Sequence, residues 1–116
     1  MESLIDLNQQ IYLAMNITLA MVLSSIIGMN RERNHKSAGL RTHMLVGTGA
    51  CFFTILSLYA FPGADKSRVA SNIVTGIGFL GGGIIIQKKN EAFDLTTAAG
   101  VWATAAIGMA VGVGAW

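Results

Sequence analysis

Four long uncharged intervals limit what this chain can fold into. They cover residues 11–29, 44–61, 69–86 and 95–116, and every charged residue lies in the segments between or before them. A helix that crosses the roughly 30 Å hydrocarbon core of a bilayer needs about 20 mostly apolar residues, with about 17 as the lower limit. The sequence therefore predicts an all-α integral membrane protein with four transmembrane helices in these intervals, forming a single domain with no soluble domain.

The composition fits this class and excludes others. Only 12% of the residues are charged and 53% are hydrophobic, whereas soluble domains carry about 25% charged residues. The net charge of +2 is small and scattered, so nucleic-acid binding is not expected. Cys51 is the single cysteine, so there is no disulfide framework, and we interpret it as a small helix-packing residue. Glu2 and Asp6, with no lysine or arginine near them, do not fit a signal peptide.

The distribution of lysine and arginine predicts the orientation. Residues 30–43 contain four of these residues and residues 87–94 contain two, as does the connecting segment 62–68. Because cytoplasmic loops are enriched in lysine and arginine, the first and third connections are expected on the cytoplasmic side. The prediction is a multi-pass protein with both the N-terminus and the C-terminus outside.

The third interval is unusually rich in glycine, with five glycines in the eight residues 76–83. Each interior glycine would cost a helix in water roughly 0.5–1 kcal/mol relative to alanine. In a bilayer, glycine allows two helices to approach closely, or allows a helix to break beside a ligand. We predict helix packing by seven glycines: Gly76, Gly78, Gly81, Gly82, Gly83, Gly108 and Gly112.

Small and polar residues also recur every four positions, which places them on one face of a helix. Residues 16, 20, 24 and 28 form such a face in the first interval, and Gly47 and Cys51 share one in the second. A small-xxx-small pair, Gly78 and Gly82, lies in the third. Helix packing is the simpler interpretation, and Asn16 could instead belong to a polar pathway.

Two sequence patterns are weak evidence for a nucleotide site or a metal site. Residues 76–81 match the dinucleotide fingerprint G-x-G-x-x-G, but no strand precedes them and they lie within a spanning interval. His35 and His43 lie in a basic segment that would repel a divalent ion, and we interpret both as solvated loop residues. No arrangement typical of a catalytic site is evident, so neither an enzyme nor a cofactor is expected.

The candidate functional residues are polar groups in the spans or at their ends. Polar groups in lipid are expensive and usually face a bundle interior or a cavity. Glu32 and Arg68 could simply anchor the helices at the headgroups, or could line an ion or partner site together with Asn72. The full candidate set is Asn16, Glu32, Arg41, Arg68, Asn72, Thr75, Asp94, Thr96 and Thr97.

Three blocks in the same order resemble the MgtC/SapB family of membrane proteins. Residues 31–42, with RER followed by AGLRT, resemble its first block, and residues 68–83 (RVASNIVTGIGFLGGG) resemble its central block. Residues 95–99 (LTTAA), with Trp102 and residues 105–108, resemble its third. The similarity covers roughly residues 20–116, and the combination of blocks is specific.

The chain departs from the family pattern at three places. Asp94 stands where the family typically has glycine, and Asn72 stands where glutamine is common. The family usually continues with a fifth helix and often a cytoplasmic domain, whereas this sequence stops at Trp116. The resemblance therefore leaves open a minimal member, a truncated chain, or an oligomer that covers the place of the fifth helix.

The resemblance implies a bacterial inner-membrane protein of magnesium homeostasis, linked to growth at low magnesium and, in pathogens, to virulence. It implies Mg²⁺ as a candidate ligand and membrane machinery such as ATP synthase as a candidate partner. Because none of the four intervals contains Asp or Glu, we favour a regulator that packs in a homo-oligomer or against partner helices over a transporter or channel. A small multidrug transporter would need an acid in the first span, which holds Asn16 instead.

Overall fold

A computed structural model describes residues 6–35, 38–63, 65–88 and 91–115, with side chains except at 87–88 and 91–94. Within these ranges the regular secondary structure is helical. Four helices are present: α1 (Leu7–Arg33), α2 (Leu40–Tyr59), α3 (Ser67–Lys88) and α4 (Glu91–Gly112). All four are long and apolar enough to cross a membrane, judged by length and composition. The predicted fold class is confirmed.

The helices extend beyond the apolar intervals, most clearly at the start of α1. Asp6 caps this helix: its Oδ1 accepts a 2.8 Å hydrogen bond from the backbone N–H of Gln9, and Oε1 of Gln9 accepts a 3.1 Å bond from the N–H of Asp6. This reciprocal capping box satisfies two backbone donors at the helix start. Residues 7–10, which precede the first apolar interval, are therefore the first turn of α1.

The other boundaries differ from the predicted ones by a few residues. α2 begins four residues before position 44 and ends two residues before position 61. α3 begins at Ser67. α4 ends at Gly112, and Gly114 follows with a φ of 84°. Trp116, predicted as the end of the fourth span, lies outside the described residues.

Helices α1 and α4 run antiparallel to each other, as the contacts at their two ends demonstrate. The side chain of Arg31, at the end of α1, reaches Thr97, near the start of α4. At the opposite end of the same helix pair, Gly114 lies against the hydroxyl of Tyr12. We call the two ends of the bundle the Arg31 end and the Asp65 end, since Asp65 lies in the connection between α2 and α3.

Three of the helices form a tight group and the fourth lies at its edge. α1 contacts both α2 and α4, and α2 contacts α4. α3 contacts α4 and α2, and within the described residues it does not contact α1. Most of α3 is therefore exposed on the bundle surface, which Phe79 illustrates with 83% of its side chain accessible.

Apolar side chains pack between the helices in two buried clusters. One buried cluster, centred on Val46, Ile73 and Val101, connects α2, α3 and α4. A second, centred on Leu13, Ile55 and Val111, connects α1, α2 and α4. Large apolar side chains also cover the outer surface, as expected for a protein whose surroundings are lipid tails rather than water.

The connection before α3 is a tight turn. Gly63 has a φ of 82°, which favours glycine because other residues meet a steric cost there. The Asp65 carboxylate then accepts hydrogen bonds from the hydroxyl of Ser67 at 2.7 Å and from its backbone N–H at 2.9 Å. These bonds, the hydroxyl first, lower the pKa of Asp65. They favour the ionised carboxylate at the start of α3.

Candidate functional site

The structure adds one candidate site, a line of polar and small residues, most of them buried, where α1, α2 and α4 meet. We call it the polar seam. Its members follow one another in each helix at intervals of three, four, seven or eight residues, which are one or two helical turns, so they share one face of each helix. Its members are Asn16, Ser24, Gly28 and Arg31 of α1, His43, Gly47 and Thr54 of α2, and Thr97, Gly100, Thr104 and Gly108 of α4.

Arg31 closes the seam at one end. Its Nη2 donates a 2.8 Å hydrogen bond to Oγ1 of Thr97. Its Nε is buried and has no acceptor among the described residues. The adjacent Glu32 is exposed, but it lies over the start of α2, where a Cβ added to Gly39 would be 3.1 Å from Oε1 of Glu32. Two neighbouring residues of opposite charge thus connect α1 with α4 and with α2.

His43 occupies the next layer and is completely buried, with 0% of its surface accessible. Its Nδ1 lies 3.0 Å from the carbonyl oxygen of Gly39. Since a carbonyl oxygen can only accept, Nδ1 is the donor, and the neutral ring carries its lone pair on Nε2. A Cβ added to Gly100 would be 3.9 Å from Nε2. The expectation of a solvated loop histidine at position 43 is wrong, because α2 begins earlier than hydropathy indicates and carries this ring inward.

Ser24 forms the following layer with Gly47 and Thr104. A Cβ added to Gly47 would overlap Oγ of Ser24 and would lie 2.7 Å from its Cβ and 3.4 Å from Cγ2 of Thr104. Only glycine fits at position 47. The Thr104 hydroxyl donates a 2.9 Å bond to the carbonyl of Gly100, whereas the buried Oγ of Ser24 has no partner among the described residues.

The seam continues toward the Asp65 end as close helix packing. A Cβ on Gly108 would overlap the carbonyl oxygen of Gly47, and one on Gly112 would lie 2.9 Å from both the carbonyl oxygen of Cys51 and Cβ of Thr54. The predicted packing face of α1 is confirmed, since residues 16, 20, 24 and 28 are all buried. Asn16 is fully buried on it, and its role in a polar pathway stays a prediction.

The structure does not bring Glu32 together with Arg68 and Asn72. Glu32 is in the last turn of α1, and Arg68 is in the first turn of α3, beyond the whole of α2. The 20 residues of α2 correspond to about 30 Å along the helix axis. A single site lined by all three residues is therefore excluded. Arg68 and Asn72 are both exposed near the Asp65 end.

The remaining candidate residues lie on the surface or outside the described part of the chain. The Thr75 hydroxyl donates a 3.1 Å bond to the carbonyl of Ser71 on the exposed side of α3. Arg41 and Thr96 are exposed near the Arg31 end. The side chain of Asp94 lies outside the described part of the chain.

The glycines of α3 behave differently from those of α4. Gly81 lies against α4, where an added Cβ would be 3.2 Å from Cβ of Ala98. Around the other four, an added Cβ would meet no atom within 4 Å: Gly76, Gly78, Gly82 and Gly83. Within the described chain, the predicted Gly78–Gly82 pair therefore makes no helix contact.

An apolar groove of about 580 Å³ separates α2 from α3. Leu45 and Phe53 line one wall, and Ile77 and Leu80 line the other. Asn72 is the one polar side chain among the described residues that line it. Within the described residues there is no group of three or more His, Cys, Asp or Glu side chains that could hold a metal ion.

Sequence reasoning missed Arg31 and His43 as members of a buried site. A signal for His43 was available: it stands four residues before Gly47 and eight before Cys51, and therefore on the same face of α2. Arg31 likewise stands three residues after Gly28 on the packing face of α1. Both residues lie in the most charged segment of the chain, whose composition predicts a solvent-exposed connection.

Comparison with known proteins places these features in a wider group. The MgtC family matches residues 17–116. Similar proteins include Escherichia coli K12 "Putative magnesium transporter YhiD", 45% identical over 106 residues, which cover 84% of this chain and 49% of YhiD. An uncharacterized Haemophilus influenzae protein is 43% identical, covering 83% of this chain and 44% of its own length. Salmonella typhimurium LT2 "Protein MgtC" is 42% identical, covering 86% and 43%.

The chain thus spans less than half the length of each of these relatives. No solved structure matches the chain significantly.

Proposed function

This chain belongs to the MgtC family, and from that premise we propose that it serves magnesium homeostasis at low magnesium by binding the helices of other membrane proteins. It is a multi-pass membrane protein. We place it in the bacterial inner membrane with its N-terminus outside and the Arg31 end in the cytoplasm, because the lysines and arginines concentrate at that end. The resemblance to MgtC/SapB proteins suggests ATP synthase as a partner to test first.

The uncovered stripe of small residues on α3 carries the proposal. Ser71, Thr75, Gly78 and Gly82 recur at intervals of four, three and four residues, so they line one narrow side of the helix. No atom of the described chain lies within 4 Å of a Cβ added at either glycine. In a membrane, such small-xxx-small stripes allow a second helix to approach closely. The occupant would be a second copy of the chain or a helix of the regulated protein.

The distribution of charge argues against Mg²⁺ conduction through the bundle. Mg²⁺ dehydrates reluctantly and is usually bound through carboxylates, yet the four apolar intervals contain none. The buried polar seam ends at Arg31, whose guanidinium would repel a divalent cation at the entrance. Both observations favour a regulator.

A transporter for Mg²⁺ or another small ion is the second candidate. The seam itself favours it, since polar residues inside a membrane bundle often mark a substrate path, and the name of YhiD points the same way.

Mg²⁺ flux into proteoliposomes distinguishes the two functions. We expect purified protein to produce no more flux than empty vesicles, because no carboxylate site is present in the spans. A second sample carrying Arg68→Ala tests whether any flux depends on a surface residue far from the seam. Protein-dependent flux above the empty-vesicle level would replace the regulator with the transporter.

Replacing Gly78 with leucine tests the stripe. Because the space around Gly78 is open, the variant is expected to keep the helical content and thermal stability of the parent protein while losing association. Gel filtration and cross-linking in mild detergent measure this loss. Gly83→Leu is the matched control, since Gly83 is equally open but lies off the stripe. An unchanged oligomer and unchanged partner capture in Gly78→Leu would contradict the proposal.

A further inference from the structure

The strongest unexplained feature lies inside the bundle. Three buried polar atoms in successive layers of the seam have no hydrogen-bond partner among the described residues: Nε of Arg31, Nε2 of His43 and Oγ of Ser24. Leaving a buried donor or acceptor unsatisfied typically costs about 1–3 kcal/mol. Each such atom in a native structure calls for a physical explanation, and these three occur in neighbouring layers of one seam.

The chemistry of the three atoms is complementary to water. Arg31 Nε–H is a donor only, and Nε2 of the neutral His43 ring is an acceptor only, because its Nδ1 donates to Gly39. The Ser24 hydroxyl can do both. Water both donates and accepts, and a buried water usually makes about three hydrogen bonds to groups that lack other partners.

The three-dimensional arrangement places these atoms along one line. Arg31 and Ser24 are seven residues apart on the same face of α1, which corresponds to about 10 Å. His43 lies between their levels, because Gly28, midway along that face, packs against it: an added Cβ there would be 3.1 Å from Cβ of His43. Beside the ring, Gly100 leaves the space of a methyl group unfilled, with an added Cβ 3.9 Å from Nε2.

We propose that Arg31, His43 and Ser24 line a short chain of buried waters that opens toward the Arg31 end. One of these waters donates a hydrogen bond to Nε2 of His43 and exchanges with the solvent on that side. The site brings water to the fully buried His43 ring inside an otherwise apolar bundle. It is independent of whether the protein regulates or transports.

Solid-state NMR of the full chain in lipid bilayers tests the proposal. His35→Asn leaves His43 as the only histidine, and asparagine tolerates the positive φ of 55° at position 35. Magnetisation transfer from water should reach the His43 ring nitrogens nearly as fast as the exposed Asn34, and much faster than the equally buried, apolar Val101. Transfer to His43 as slow as to Val101 would overturn the proposal.

Gly100→Ala supplies the second measurement. The added methyl group would lie at an ordinary contact distance from Nε2, so the fold is expected to survive while the space for water beside the ring is filled. Transfer to the His43 ring should slow several-fold, and Gly76→Ala, which adds the same methyl group on the open side of α3, should leave it unchanged. Rapid transfer that persists in Gly100→Ala would refute this location of the water.

Discussion

Gly108→Ala is expected to destabilise the bundle severely. The added Cβ would overlap the backbone carbonyl oxygen of Gly47 and would lie 3.1 Å from Cβ of Ala50. A backbone oxygen cannot turn aside as a flexible side chain can, so α4 would have to move away from α2. Overpacking of this kind costs about 1–3 kcal/mol, and occasionally more.

Unfolding of the protein in detergent, followed by far-UV circular dichroism, measures the effect. Gly83→Ala is the control, because it makes the same chemical change in a helix where the added methyl group meets open space. Both variants share any gain in helix propensity, so the difference between them reports packing alone. Equal stability of the two variants would show that α2 and α4 are not in the close contact described here.

Arg31→Met is expected to lower the free energy of unfolding by about 1.5–3 kcal/mol, the range for hydrogen bonds to charged groups. The bond from Arg31 to Thr97 joins the end of α1 to the start of α4. Its removal also leaves the Thr97 hydroxyl, with 1% of the residue accessible, buried without this donor. Methionine retains the apolar part of the side chain, so the variant chiefly removes the charged hydrogen bond.

Arg33→Met is the matched control for this substitution. Arg33 is exposed two residues further along α1, and its replacement removes the same charge from the same connection without touching Thr97. Stability of the two variants can be compared by denaturant titration in the same micelles. If Arg33→Met were as destabilising as Arg31→Met, the loss would come from the net charge of the connection and not from the bond across the seam.

The number of helices and their approximate positions could be predicted from hydropathy because crossing a bilayer sets a minimum apolar length. The helix ends could not. Hydropathy detects where charges are absent, whereas the start of α1 depends on the capping by Asp6, and the start of α2 includes Arg41 and His43. A helix can continue past the apolar interval wherever its charged side chains reach solvent and its polar ones find a buried place.

The candidate site was predictable only in part, because a single sequence reveals the periodicity within one helix and not which face meets which neighbour. The face through Ser24 could be recognised, since its small residues recur regularly. In α3, glycines point in several directions, and Gly81 alone of the five contacts α4. The predicted shared site of Glu32 and Arg68 does not form within the chain for a different reason. Both are charged residues at helix ends, but the whole length of α2 lies between those ends.

The one-sided attachment of α3 divides the molecule into parts of unequal rigidity. α1, α2 and α4 hold one another through backbone contacts at glycines, whereas α3 rests on α4 and α2 and has no contact with α1 in the described residues. A segment with few buried contacts opens at lower free energy than the core beside it. α3 is therefore expected to change its tilt more readily than the other three helices. A partner that binds one tilt would select that position, so its presence could be registered by this single helix without disturbing the other three.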